Sequence, residues 1–143
     1  MAIERKNAKD NFQLDKVESK KSLISGFGAF AIKPIKARSK IGNMTGELIS
    51  TREARKRVKQ LKVIKMVEFD EHVALDATHS NSLSHINHSC DANCYIRLIH
   101  HKVEFYAKRN IKVGEELTAD YGETQHEEQL KCRCGAKNCR GWL

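Results

Sequence analysis

The run Ile86-Asn87-His88-Ser89-Cys90, together with Cys132-x-Cys134-x4-Cys139 near the end of the chain, constrains the fold more than any other feature. The first segment supplies two polar side chains able to grip a ligand, and a thiol close behind them. The second places three thiols at metal-ligand spacing. Zinc takes four tetrahedral ligands, at about 2.3 Å for sulfur, and thiolates close together in sequence are already collected for it. Cys132, Cys134 and Cys139 supply three. A closed structural site needs a fourth, drawn from Cys90, Cys94 or one of the seven histidines. A chain that meets this demand brings its middle to its tail, and a zinc site then closes beside a small-molecule pocket.

The five cysteines carry that reading because nothing else points to an oxidising compartment. Reduced compartments keep thiols free for metals, so a disulfide framework is not expected. The N-terminus has basic residues without an apolar stretch after them, so no secretory signal is expected. No apolar run approaches the roughly 20 residues of a membrane span. An intracellular chain is expected, forming one domain at 143 residues. Its net charge of +8 is uneven: residues 1–65 hold 17 Lys/Arg against 6 Asp/Glu, and residues 66–143 hold 9 against 12. The basic half suits a polyanion such as nucleic acid, and the mildly acidic half suits a basic peptide. Lysine-rich surfaces more commonly serve solubility.

Short strands dominate the pattern. Phe12 to Val17 alternates apolar and polar residues as a strand does. Gly26-Phe27-Gly28 interrupts the chain before a buried strand, Ala29 to Ile32, which Pro34 stops because proline lacks an amide hydrogen. Ile41 to Ile49 reads as two strands broken by Gly42 and Gly46. Ser50 and Glu53 have capping-box spacing. They open one clear helix, with Ala54, Val58 and Leu61 on one face and Arg52, Arg55, Lys56, Lys59 and Lys62 on the other. Val67 to Phe69 and His72 to Leu75 form a hairpin around Asp70-Glu71. Asn93 to Ile99 and Lys102 to Lys108 form another around His100-His101, with Val103, Phe105 and Ala107 on one face. A further strand follows at Glu116-Leu117-Thr118. The fold class expected is mainly β with short helices.

Alone, each motif has an ordinary explanation. Gly26-Phe27-Gly28 lacks the third glycine of a dinucleotide fingerprint and precedes a strand, although two glycines permit close backbone approach to a ligand. Asn87-His88 fits a capped turn, and Tyr121 fits core packing. In order, however, the segments resemble one family. Gly26-Phe27-Gly28-Ala29-Phe30-Ala31, Ile86-Asn87-His88-Ser89-Cys90-Asp91-Ala92-Asn93, Gly114-Glu115-Glu116-Leu117-Thr118-Ala119-Asp120-Tyr121-Gly122 and the cysteine tail from Cys132 to Gly141 are similar to SET-domain protein lysine methyltransferases. The resemblance runs from about Val17 to Leu143.

It implies a β-clip fold of several small sheets around a C-terminal pseudoknot. It also implies a flank at 1–16, a SET domain at 17–123 and a post-SET zinc segment at 124–143. Gly26, Phe27, Gly28, Asn87, His88 and Tyr121 would hold S-adenosylmethionine, with Arg133 and Trp142 closing over it. Tyr121 would be the catalytic residue. Structural zinc would be held by Cys90, Cys132, Cys134 and Cys139, which leaves Cys94 spare. The implied reaction moves methyl groups to the side-chain amine of lysine in a basic protein, a histone tail or a DNA-packaging protein. The competing expectation is a catalytically silent SET domain that binds peptide or nucleic acid. Nuclear residence follows in a eukaryote and cytoplasmic residence in a microbe, with export to a host also compatible. No membrane partner is expected.

Three departures bear on the chemistry. Ala119 stands where the family often carries an aromatic residue, and the extra room suggests di- or trimethylation. A tyrosine common in an upstream strand is replaced around Val67 and Phe69. Ala92 replaces a usual proline, and Ser84-His85 a usual Arg-Phe pair.

Overall fold

The computed structural model describes residues 14–60, 65–120 and 135–140. Ten strands build two sheets around one main core, with a single α-helix among the described residues. The mainly β expectation is met.

The larger sheet starts from a hairpin. β1 (Val17–Lys21) and β2 (Phe27–Ala31) pair antiparallel, Val17 opposite Ala31 and Lys21 opposite Phe27. Gly26 turns the chain between them at φ +46, and the Ser22 amide donates to its carbonyl at 2.8 Å. The strand expected from Phe12 begins later. Leu14–Lys16 forms a 3-10 turn, and β1 starts at Val17, the first fully buried residue of this stretch. Gly28 lies within β2 rather than ahead of it.

Beyond β2 the sheet joins segments far apart in sequence. β3 (Lys40–Met44) pairs antiparallel with β9 (Lys102–Ala107), and β9 with β8 (Cys94–Ile99). β10 (Glu116–Ala119) lies between β2 and β8, antiparallel to the first and parallel to the second. The two-residue β7 (Asn87–His88) also pairs with β10 in parallel, Thr118 opposite Asn87 and Ala119 opposite His88. Gly42 does not break β3; it sits at a register shift against β9. Gly46 does separate the strands, because a Cβ there would collide with the Asp76 carbonyl.

The smaller sheet has the order β4 (Glu47–Ser50), β6 (Val73–Asp76), β5 (Met66–Glu68). Asp70 closes the β5–β6 hairpin by accepting from the amides of His72 and Val73 at 2.7 and 2.8 Å. Helix α1 (Thr51–Val58) packs on this sheet, and Ser50 Oγ caps it by accepting from the Glu53 amide at 3.0 Å. The expected apolar stripe is only partly right. Thr51 and Ala54 are buried, whereas Val58 is 40% exposed. Two turns are too few to lay a long stripe on the sheet, so only the first turn packs. Thr51 joins it by donating its hydroxyl to the Asp70 carbonyl at 2.8 Å. Leu61 and Lys62 lie outside the described residues.

The core is apolar. Phe105, Ile35, Ile41, Leu83, Ile111 and Leu117 are all but inaccessible, and Val103, Phe105 and Ala107 share the inner face of β9 as expected. At roughly 25 cal/mol per Å² of apolar surface, this cluster dominates the stability of the larger sheet. No helix among the described residues is long and apolar enough to cross a membrane.

Candidate functional site

The parallel pairing of β7 with β10 places Asn87 beside the β1–β2 turn. Its amide Nδ2 faces four acceptors: Ser22 Oγ at 3.1 Å, the Ser25 carbonyl at 3.1 Å, the Phe27 carbonyl at 3.3 Å and Glu116 Oε2 at 3.0 Å. Ser22 in turn donates its hydroxyl to the Glu116 carboxylate, 2.9 and 2.8 Å from its two oxygens. Thus the Gly26–Gly28 segment, Asn87 and the start of β10 form one hydrogen-bonded unit. The bare Cα of Gly28 leaves room for the Glu116 carboxylate, since a Cβ there would stand 2.5 Å from Glu116 Oε2. Phe27 projects outward, 63% exposed, with its ring 6.0 Å from that of His85.

Next along β7, His88 is buried. Burial lowers its pKa, the Asp120 carboxylate opposes this, and the positive Arg140 adds a smaller lowering. The neutral imidazole is therefore favoured. Its Nε2 lies 3.4 Å from Cys90 Sγ, and its Nδ1 lies 3.8 Å from Asp120 Oδ1, too far for a hydrogen bond.

Residues of the tail lie against the same junction. The Arg140 amide donates to Cys90 Sγ at 3.4 Å, and Asn138 Nδ2 donates to the Cys90 carbonyl at 3.2 Å. The Arg140 guanidinium grips Asp120 with two bonds of 3.0 and 3.1 Å. Cys139 therefore belongs to the segment laid beside Cys90. With Cys90 Sγ facing the segment that carries Cys139, this half of the donor set fits a closed thiolate zinc site. Among the described residues no three metal-binding side chains converge. Tyr121, Cys132, Arg133, Cys134 and Trp142, and the threading of the tail, lie outside the described residues.

Cys94 differs from Cys90. It is 2% exposed, donates to Asn93 Oδ1 at 3.3 Å, and burial pushes its pKa up to about 12. Ala119 is fully buried opposite it. Val67 packs against the core, and the Phe69 ring tilts against that of His101 at 5.5 Å.

Three supporting residues escaped the sequence reading. Glu116 lay within a quoted motif but carried no signal of its own, and Ser22 had none. Asn93 is the third: its side chain donates to the Glu116 carbonyl at 2.9 Å and accepts from the Thr118 amide at 2.9 Å, so it pins β10 beside the Asn-His segment.

Residues 26–122 match the model of the SET domain family. That match spans more than half of the chain. The chain belongs to the SET-domain family. It is 41% identical over 133 residues to histone H3-lysine(4) N-trimethyltransferase ATX1 of Arabidopsis thaliana, covering 85% of this chain and 12% of that protein. It is 34% identical over 152 residues to histone-lysine N-methyltransferase trithorax of Drosophila virilis, covering 100% of this chain and 4% of the relative. Histone-lysine N-methyltransferase SETD1B of Homo sapiens is 34% identical, with 92% and 7% covered. Among solved structures, a chain in the structure of ctPRC2 in complex with H3K27me3 and H3K27M superposes with a TM-score of 0.70 at 31% identity, covering 75% of this chain and 14% of that one. This SET domain is thus a small fraction of the length of each relative.

Proposed function

We propose that this SET domain transfers methyl groups from S-adenosylmethionine to the side-chain amine of lysine in a basic protein. The observation that carries the reading is the Asn87 amide locked onto the Gly26–Gly28 segment. Two motifs sixty residues apart in sequence, as Asn87 to Phe27 measures, meet through a direct bond. The four relatives and neighbours described above are named for histone-lysine methylation or for histone-tail complexes, which supports a histone-like substrate and, in a eukaryote, a nuclear setting.

When bound, S-adenosylmethionine supplies an electrophilic methyl group on a sulfonium. Gly26, Phe27 and Gly28 present backbone and one exposed ring to the cofactor, and Asn87 and His88 add polar contacts. Arg133 and Trp142 would close over it. Tyr121 orients the lysine amine rather than taking its proton, since a tyrosine with a pKa of about 10 is a poor base at neutral pH. By holding the amine and the methyl donor together, these residues would supply much of the rate. Cys90, Cys132, Cys134 and Cys139 would hold a structural zinc, which would anchor residues 124–143, the post-SET segment, on the SET domain of residues 17–123. Residues 1–16 are a flank. The absence of a side chain beyond Cβ at Ala119 supports a di- or trimethylated product, as does the trimethyltransferase name of the Arabidopsis relative.

The test is labelled S-adenosylmethionine with a panel of histones and other basic proteins, wild type beside Tyr121→Phe. Wild-type labelling that the variant loses is the expected result. Cofactor binding without labelling of any protein would favour a silent module, and equal labelling by both would remove Tyr121 from the chemistry.

A further inference from the structure

Asn87 is held in an unusual way for a ligand-binding amide. An amide nitrogen has two hydrogens to donate, yet four acceptors surround Asn87 Nδ2 within 3.3 Å. Such a ring of acceptors permits one orientation of the amide group. The flipped form would set Oδ1 against two carbonyls and a carboxylate. Among the described residues Oδ1 itself has no hydrogen-bond partner, and Asn87 is only half-buried. The side chain therefore offers a lone acceptor of fixed direction.

Of the four acceptors, two carbonyls come with the backbone and would be present whatever the side chains were. The variable part is Glu116 and Ser22. The carboxylate receives the Ser22 hydroxyl and Asn87 Nδ2 together, and Ser22 Oγ also accepts from the Ile24 amide at 2.9 Å. The flexible end of Glu116 is thereby held against Gly28, where an added Cβ would stand 2.5 Å from Oε2.

We infer that Glu116, held by Ser22, is a positioning residue that sets the Asn87 amide so that Oδ1 receives the ammonium group of the cofactor's amino-acid end. This rests on the proposed use of S-adenosylmethionine. Among the donors of that molecule the ammonium is the cationic one, and a carboxylate 3.0 Å behind the amide favours a cationic donor over a neutral hydroxyl or amine. Glu116 does not touch the reacting atoms in this arrangement. It acts through Asn87.

The test compares two ligands by calorimetry on the full chain. S-adenosylhomocysteine carries the amino-acid end, whereas 5′-methylthioadenosine lacks it and keeps the nucleoside. Glu116→Gln replaces one acceptor oxygen with a donor, which opposes Asn87 Nδ2 or the Ser22 hydroxyl. It should weaken S-adenosylhomocysteine by about tenfold, the scale of one hydrogen bond to a charged group. Binding of 5′-methylthioadenosine should change less than about twofold, and kcat at saturating S-adenosylmethionine should hold while KM for it rises. If Glu116→Gln fails to fold, Ser22→Ala keeps the charge, removes its tether and should show a smaller loss with the same preference.

Parallel weakening of both ligands would make Glu116 a structural residue and overturn the inference. So would unchanged affinity for S-adenosylhomocysteine. A wild-type chain that binds neither ligand would refute the cofactor reading itself, and the inference with it.

Discussion

Cys90 and Cys94 sit close in sequence and in opposite environments, and the difference predicts their chemistry. Burial holds the Cys94 thiol protonated at neutral pH, and the thiolate is the form that reacts. A thiol alkylating agent should leave Cys94 unmodified in the native chain and modify it after unfolding, as read by peptide mass spectrometry. Cys90→Ser should lower both zinc content and cofactor affinity, because Cys90 adjoins His88 on one side and the tail on the other. Cys94→Ser should alter neither, since a serine hydroxyl can take over the bond to Asn93 Oδ1. Equal zinc in both variants, measured by elemental analysis, would contradict this division. The residue types of the site were legible from the motifs, Asn87 and Cys90 among them. Their partners were not. Ser22 and Glu116 meet Asn87 only because three strands converge there.

The elements of the smaller sheet are tied by Arg57. Its guanidinium reaches Asp76 at 2.8 Å, Glu47 at 3.2 Å and Glu53 at 3.2 Å, so it clamps α1 to β4 and β6. Burial alone would raise the pKa of Asp76, but the Thr78 hydroxyl and amide and the Arg57 charge together outweigh it and hold the carboxyl below its ordinary value. Arg57→Ala leaves that largely buried carboxylate one partner short, and should cost about 1–3 kcal/mol in urea unfolding. Because the folded pKa of Asp76 is depressed, its contribution is present above about pH 3.9, the unfolded value, and is lost as pH falls below it.

His85 gives the opposite kind of dependence. It sits in the 3-10 turn Ser82–His85, with Nδ1 2.8 Å from Ser19 Oγ on β1. Burial, then the charge of Lys65, lower its pKa. The unfolded chain therefore takes up a proton more readily, and stability falls as pH drops from about 6.5, the unfolded value, toward the lower folded one. His85→Phe should flatten that slope between neutral pH and pH 5, which denaturation midpoints across pH would show. Most elements were legible in advance. Capping at Ser50 and the hairpin turns follow from short-range chemistry, whereas the burial of α1 depends on which turn meets a sheet assembled from distant strands. The β8–β9 turn is a related case, with His100 and His101 both at positive φ where Asn-Gly would be usual.

At the scale of the molecule, the described part of the tail meets the junction beside β7 and β10 through Asn138 and Arg140 on Cys90, and through Arg140 on Asp120. The Arg140–Asp120 pair is half-exposed and contributes at most about 1 kcal/mol. The core of the larger sheet needs none of these contacts. Removing zinc with a chelator should therefore leave the β signal in far-UV circular dichroism largely intact while abolishing cofactor binding. Global unfolding on chelation would show instead that the tail holds the core together.

Fold class, strand count in outline and the motifs of the site are properties of the sequence itself. They depend on period-two alternation, turn residues and a few residue types whose chemistry is narrow. Only the tertiary structure decided that β10 lies between β2 and β8 and beside β7. That placement sets a carboxylate behind Asn87 and a buried alanine against Cys94. Pairing between distant strands is governed by the joint packing of the core and the backbone bonds of several segments at once, and no local stretch of sequence encodes it.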